Sequence, residues 1–212
     1  MKTKPFATVV VGAFEVNCYL VPSPDKKTLY IIDPGGDAQD IIAAASAFSC
    51  QKAVILLTHC HADHIGAVGE VAKRLNITEL YIDPADSAMY ASPANCFPPY
   101  LPAAENLLTP SEWPPQTPDF EILHTPGHTP GGVCYYFREY NALFTGDTLF
   151  RASVGWYRFP RRRHRNLDGI YFRQTDDASR FSGNLSRTRL SEHNRFRKTE
   201  QSVSMKNLRF PK

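Results

Sequence analysis

Residues 58–67 read THCHADHIGA and follow directly on the apolar run AVILL at 53–57. His59, His61, Asp63 and His64 fall within six positions of one another. A short, continuous apolar run suits a β-strand covered on both faces, so the polar cluster is expected where that strand ends. Three imidazoles and a carboxylate on one turn are hard to explain by packing, because each ring needs a polar partner or a metal when buried. The mixture of nitrogen and oxygen donors suits Zn²⁺, with Fe or Mn also compatible. Four such close neighbours cannot all face one ion from a single turn, so further ligands are expected from elsewhere in the chain.

Two later stretches offer them. TPGHTPGG (125–132) places His128 in a glycine- and proline-rich turn, and FTGDTLF (144–150) places Asp147 after another apolar run. A carboxylate can bridge two cations, and two-metal sites hold their ions ~3.5–4 Å apart.

The surrounding pattern is layered. FATVVVGAFEVNCYLV (6–21) and TLYIID (28–33) are β-branched, apolar runs separated by the turn SPDKK, and DPGGD (33–37) ends the second. AQDIIAAASAFSCQ (38–51) and IGAVGEVAKRL (65–75) carry apolar residues at helical spacing, and ELYID (79–83) reads as a further strand. Eight of the 17 prolines lie between 93 and 118, an irregular segment of the kind that covers functional sites. FEILHT, GGVCYYF and NALFTGD then alternate like strands. Strands interleaved with helices and hairpins predict an α/β layered domain.

In this order the motifs resemble the metallo-β-lactamase superfamily, and within it the small hydrolases of the glyoxalase II (hydroxyacylglutathione hydrolase) type. The residues that carry the resemblance are DPGG (33–36), THCHADH (58–64), TPGHTPGG (125–132), GDTLF (146–150) and the start of FRASVG (150–155). The resemblance implies an αββα sandwich with metals at one edge of its two sheets. It implies that His59, His61 and His128 hold one metal, that Asp63 and His64 hold a second, and that Asp147 bridges them. Asp63 would also orient the attacking water as the catalytic carboxylate, and Asp33 would fix a ligand histidine. Metal coordination lowers the pKa of bound water towards neutrality, supplying hydroxide to attack an acyl carbonyl, ideally that of a thioester. Cys60 reads as packing and His124 as structural. The loop MYASPANCFPPYLP (89–102) fits a substrate cover and a plain surface loop equally well.

Past residue 155 the chain changes character. The net charge of +3 conceals 9 Lys/Arg against 16 Asp/Glu in residues 1–155, and 15 against 5 in residues 156–212. The family pattern continues after SVG with T-D-x-P-G-G-D, a helix and a strand ending in P-G-H-G, whose histidine completes the second metal; nothing in 156–212 resembles it. Permitted codons for WYRFPRRRHRN (156–166), read one base later, spell GTDFPGGDIET. The same shift carries on into a segment with apolar residues at helical spacing and then YPGHG. The expectation is therefore a domain at 1–155 and, at 156–212, a basic out-of-frame tail that lacks the C-terminal helix, strand and ligand. Such a chain is expected to fold poorly and to have weak or absent activity.

The remaining features bound the setting. Cys18, Cys50, Cys60, Cys96 and Cys134 are odd in number and show no CxxC spacing, which argues for a reducing, cytoplasmic compartment. The apolar run near the N-terminus is too short to span a bilayer and no cleavage site follows it, so neither a membrane nor a leader is expected. The expected function is metal-dependent hydrolysis of a small thioester or related acyl compound, with one or two Zn²⁺ ions. Two alternatives are a mono-iron persulfide dioxygenase of the same superfamily and a non-catalytic protein whose cationic tail binds nucleic acid. The out-of-frame reading of the arginines argues against the last.

Overall fold

The computed structural model describes residues 5–150, 153–154 and 202–204. The first sheet grows from the β-branched runs near the N-terminus. Ala7–Val11 (β1), Val16–Pro22 (β2) and Thr28–Ile32 (β3) pair antiparallel, and Lys52–Leu56 (β4) and Leu80–Tyr81 (β5) continue in parallel, in the order β1-β2-β3-β4-β5. The run 6–21, expected as one strand, is folded into a hairpin. Its turn is closed by Glu15 N–H donating to Gly12 O at 3.1 Å, and Gly12 N–H donates to Asp37 Oδ2 at 2.7 Å.

Parallel strands need crossover connections. Ala38–Ala45 (α1) links β3 to β4, while Ala62–Ile65 (α2) and Val68–Leu75 (α3) lie between β4 and β5. The sequence pattern suggests one helix over 65–75. The chain instead breaks at Gly66 and Ala67, where Ala67 N–H donates to Pro34 O at 2.9 Å rather than continuing the helical ladder.

Glu121–His124 (β6), Val133–Phe137 (β7) and Ala142–Phe144 (β8) form a second, antiparallel sheet. Leu149–Phe150 (β9) pairs with Ser153–Val154 (β10), and Ser202–Ser204 (β11) pairs antiparallel with β8. The second sheet thus runs β11-β8-β7-β6.

Alternation along each strand divides the core into two layers. Cys18, Leu20, Leu29, Ile31, Ile55 and Leu57 face α1 and α3, meeting Ile41, Val68 and Val71. Their neighbours Tyr19, Val21, Tyr30, Ile32, Val54 and Leu56 face the second sheet, meeting Phe120, Val133, Tyr135, Phe137 and Phe144. The aromatic side chains between the sheets interlock, with Tyr19–Phe144 centroids at 4.7 Å and Tyr30–Phe120 at 5.2 Å. Tyr135 OH crosses this layer to donate to Leu57 O at 2.9 Å, which removes the cost of burying its hydroxyl.

The described layers are α/β/β, in agreement with the expected α/β sandwich. The division at residue 155, the loss of the C-terminal helix and strand, and the fate of the last histidine all concern residues that, Ser202–Ser204 apart, lie outside the described ones. Among the described residues no helix is long and apolar enough to cross a membrane.

Candidate metal centre

The strands deliver their polar residues to one edge of the sandwich. Asp33 follows β3, Thr58 to His61 follow β4, His128 lies in the β6–β7 turn, and Asp147 lies in a 3₁₀ turn, Gly146–Thr148, after β8. Close backbone approach makes this possible. A Cβ on Gly35 would lie 1.7 Å from Asp63 O, so only glycine lets the β3 turn pass the start of α2. Gly146 has φ +47°, and a Cβ there would meet Thr58 Oγ1 at 2.1 Å, so glycine also sets how closely the Asp147 turn lies against the β4 end.

All six residues anticipated as metal ligands come together. The ring centroids of His59 lie 4.8 Å from His61, 4.9 Å from His128 and 4.1 Å from His64, and those of His61 and His128 are 4.5 Å apart. Donor atoms of His59, His61 and His128 fall within 4.8 Å of one another, and so do those of Asp63, His64 and Asp147. Asp147 reaches both sets, with Oδ1 3.4 Å from His64 Nε2 and Oδ2 3.6 Å from His128 Nε2. The sets could also be divided differently, since Asp33, His59 and His64 form a third close group.

Hydrogen bonding fixes which ring nitrogens carry protons. Asp33 accepts from Thr58 N–H at 2.7 Å and from Thr58 Oγ1–H at 2.6 Å. Because the Thr58 hydroxyl proton is committed to Asp33, Thr58 Oγ1 can only accept from His59 Nδ1, 3.1 Å away. The His59 Nε2 lone pair is then left facing the cluster, buried and without a hydrogen-bond partner among the described residues. His64 Nδ1 lies 3.0 Å from Asp33 Oδ2, so its Nε2 points at Asp147 Oδ1 and, at 3.9 Å, at Asp63 Oδ2. A nitrogen lone pair and two carboxylates converging in a buried place repel one another unless a proton or a cation lies between them. The donor set therefore fits a divalent cation.

The titration behaviour has the same cause. Burial, reinforced by the neighbouring His64, holds His59 well below the ordinary histidine range. Burial and His128 lower His61 in the same direction, so both are neutral and ready to donate near pH 7. Burial opposes protonation of His64 too, but the combined pull of Asp33 and Asp147 overrides it and raises the group to about 10.

The residues set aside from the sequence lie apart from these sets. His124 is exposed and its Nδ1 is 3.2 Å from Asp83 Oδ2. The Cys60 thiol is buried and pushed upward by burial and by Asp86.

Sequence reasoning missed Asp86. This carboxylate, 1% exposed, lies at the end of the 3₁₀ turn Pro84–Asp86. It accepts from Gly131 N–H at 2.7 Å, Thr129 Oγ1–H at 2.8 Å and Cys60 N–H at 3.2 Å. It therefore clamps the turn bearing His59 and His61 to the turn bearing His128. The glycine pair 131–132 signals that something approaches the backbone closely, but not which residue does so.

Comparison with known proteins agrees with this architecture. Hydroxyacylglutathione hydrolase GloC of Haemophilus influenzae is 34% identical over 168 residues, covering 75% of this chain and 78% of that protein. Among solved structures, BLEG-1 B3 metallo-β-lactamase superposes with a TM-score of 0.59 at 34% identity, covering 76% of this chain and 78% of its own. TTHA1623 in a di-iron-bound form superposes with a TM-score of 0.64 at 31% identity, covering 80% and 86%. Residues 11–186 match the family described as the metallo-beta-lactamase superfamily. With the paired sheets, the strand-end histidines and these relatives in agreement, the chain belongs to the metallo-β-lactamase superfamily of metallo-hydrolases.

Proposed function

We propose that this protein hydrolyses small thioesters with the help of one or two divalent cations, Zn²⁺ first and Fe or Mn as alternatives. His59, His61 and His128 hold one ion, Asp63 and His64 hold the second, and Asp147 lies between them. The observation that carries the reading is Asp147, whose two oxygens face His64 and His128 separately. A cation bound here supplies Lewis acidity, polarising a carbonyl and acidifying water.

The chain's own residues do the rest. Asp63, in the first turn of α2, orients a water towards the acyl carbon and accepts its proton. The water oxygen bonds to that carbon, the carbon–sulfur bond breaks, and the thiolate leaves to be protonated by solvent. Asp33 holds the His64 ring so that Nε2 faces inward. Preference for thioesters rests on the likeness to hydroxyacylglutathione hydrolase GloC. The five cysteines are all free, which supports a cytoplasmic setting.

The test is thiol release from short acyl thioesters, followed with a thiol-reactive chromophore. The expected result is turnover that EDTA removes and added Zn²⁺ or Fe²⁺ restores. Metal-loaded protein that releases no thiol from any acyl thioester would overturn the proposal.

A further inference from the structure

Two turns bring His128 and Asp147 together. Residues 125–132 carry His128 between β6 and β7, and Gly146–Thr148 carries Asp147 after β8. Each turn is closed by its own backbone. Thr125 N–H donates to Gly132 O at 2.8 Å in the first, and Thr148 N–H donates to Thr145 O at 3.0 Å in the second. These bonds fix the shape of each turn without joining one to the other.

Side chains make the join. Thr125, Cys134, Thr145 and Thr148 are all buried. Thr125 Oγ1 lies 3.0 Å from Thr148 Oγ1 and 3.5 Å from Cys134 Sγ, and Cys134 Sγ lies 3.9 Å from Thr145 O. The protons along this link can be assigned. Burial pushes the Cys134 thiol up to about 11, so it keeps its proton and donates it to the Thr145 carbonyl. Its sulfur then accepts from the Thr125 hydroxyl, which in turn accepts from the hydroxyl of Thr148. The link therefore leaves the Asp147 turn at Thr148, passes through the His128 turn and β7, and returns to the Asp147 turn at Thr145. Valine has nearly the shape of threonine, so the two hydroxyls add direction to a contact that apolar groups would fill as well. Direction matters here, because ligand groups must be held within about 0.5 Å of their working geometry. His128 Nε2 and Asp147 Oδ2 are 3.6 Å apart.

We propose, resting on the metal-bound reading above, that Thr125, Thr148 and Cys134 are positioning residues. Their link holds the Asp147 turn against the His128 turn and so sets where the Asp147 carboxylate meets a bound cation.

The test is Zn²⁺ affinity of the full chain, measured against a chromophoric chelator. D147N identifies the equivalent of metal that depends on Asp147. T125V/T148V replaces both hydroxyls with apolar groups of the same shape, so its metal-free form should melt close to the wild type. Affinity for the Asp147-dependent equivalent is nevertheless expected to fall about tenfold in that double variant and to stay near the wild-type value in T125S and T148S. C134A cuts the link at another point and is expected to weaken the same equivalent by less. Should the double variant melt poorly, C134A decides alone. Unchanged affinity in either variant when it melts with the wild type, serine variants as weak as the double variant, or a D147N that alters no equivalent overturns the proposal. Thiol release from acyl thioesters separates this claim from the reading beneath it. The expected affinity losses without thiol release from the wild type leave the positioning standing and remove the thioester chemistry. Thiol release with undiminished affinity in the double variant leaves the chemistry and removes the positioning.

Discussion

Asp33 Oδ2 lies 3.0 Å from His64 Nδ1, and the same carboxylate accepts from both the backbone and the hydroxyl of Thr58. One buried side chain thereby sets the orientation of His64 and, through Thr58, that of His59. Its charge also holds a proton on His64 when no cation is present.

Replacing Asp33 with asparagine keeps the shape but presents an NH₂ group to a cluster of donors. Metal affinity at the Asp63–His64–Asp147 set is expected to fall ~10–100-fold, the usual cost of losing a carboxylate behind a ligand imidazole. Competition with a chromophoric chelator measures this. Unchanged affinity would mean that Asp33 serves the turn alone.

The metal-free protein should have a stability maximum close to neutral pH. His64 titrates at about 10 in the folded chain against about 6.5 unfolded. Its contribution is complete below the unfolded value and is lost as pH rises through about 10. His59 and His61 are shifted the other way, so theirs is present above the unfolded value and lost as the pH falls. Urea midpoints of EDTA-treated protein at pH 5, 7 and 9.5 should therefore fall on both sides. Loading with Zn²⁺ should remove the alkaline decline, because a cation at His64 Nε2 would stand in place of the proton lost there, while Nδ1–H stays on Asp33. A flat alkaline profile without metal would contradict the assigned pairing.

Asp86→Asn leaves one acceptor where Gly131, Thr129 and Cys60 supply donors to two oxygens. Folding stability is expected to drop by ~1–3 kcal/mol. Metal affinity of the three-histidine set should drop more than that of the Asp63–His64–Asp147 set, because the clamp spaces His59 and His61 from His128. Cobalt absorption during stepwise loading distinguishes the two sets. Equal losses at both would reduce Asp86 to a general packing role.

The segment 156–212 carries a prediction at the level of the gene. Reading one base later from Trp156 yields GTDFPGGD, so resequencing the codons for Ser153 to Arg163 from an independent template should gain or lose one base. The same codons read unchanged from an independent template would refute the out-of-frame reading.

Much of this centre was legible because its chemistry is local. His59, His61, Asp63 and His64 sit within six positions, and His128 and Asp147 are each marked by a glycine at a strand end. The hairpin at Gly12 and the helix break at Gly66 were not legible. In both places hydrophobic periodicity runs on while a tertiary hydrogen bond, to Asp37 or to Pro34, redirects the backbone. Asp86 was hidden for a related reason. Its three partners come from turns 26, 43 and 45 residues away, and nothing in PADS announces them.

His59, His61, Asp63 and His64 hang from one sheet, while His128 and Asp147 hang from the other. Between the sheets lie mostly apolar side chains, whose attraction fixes distance better than lateral position. An ion held by both sides acts as a rivet, and like any ligand specific to the folded state it shifts the folding equilibrium by mass action. It also forbids the layers from sliding past one another. On the ligand assignment proposed above, loading becomes an assembly check, since a sandwich whose sheets meet out of alignment cannot bring Asp147 and His64 together.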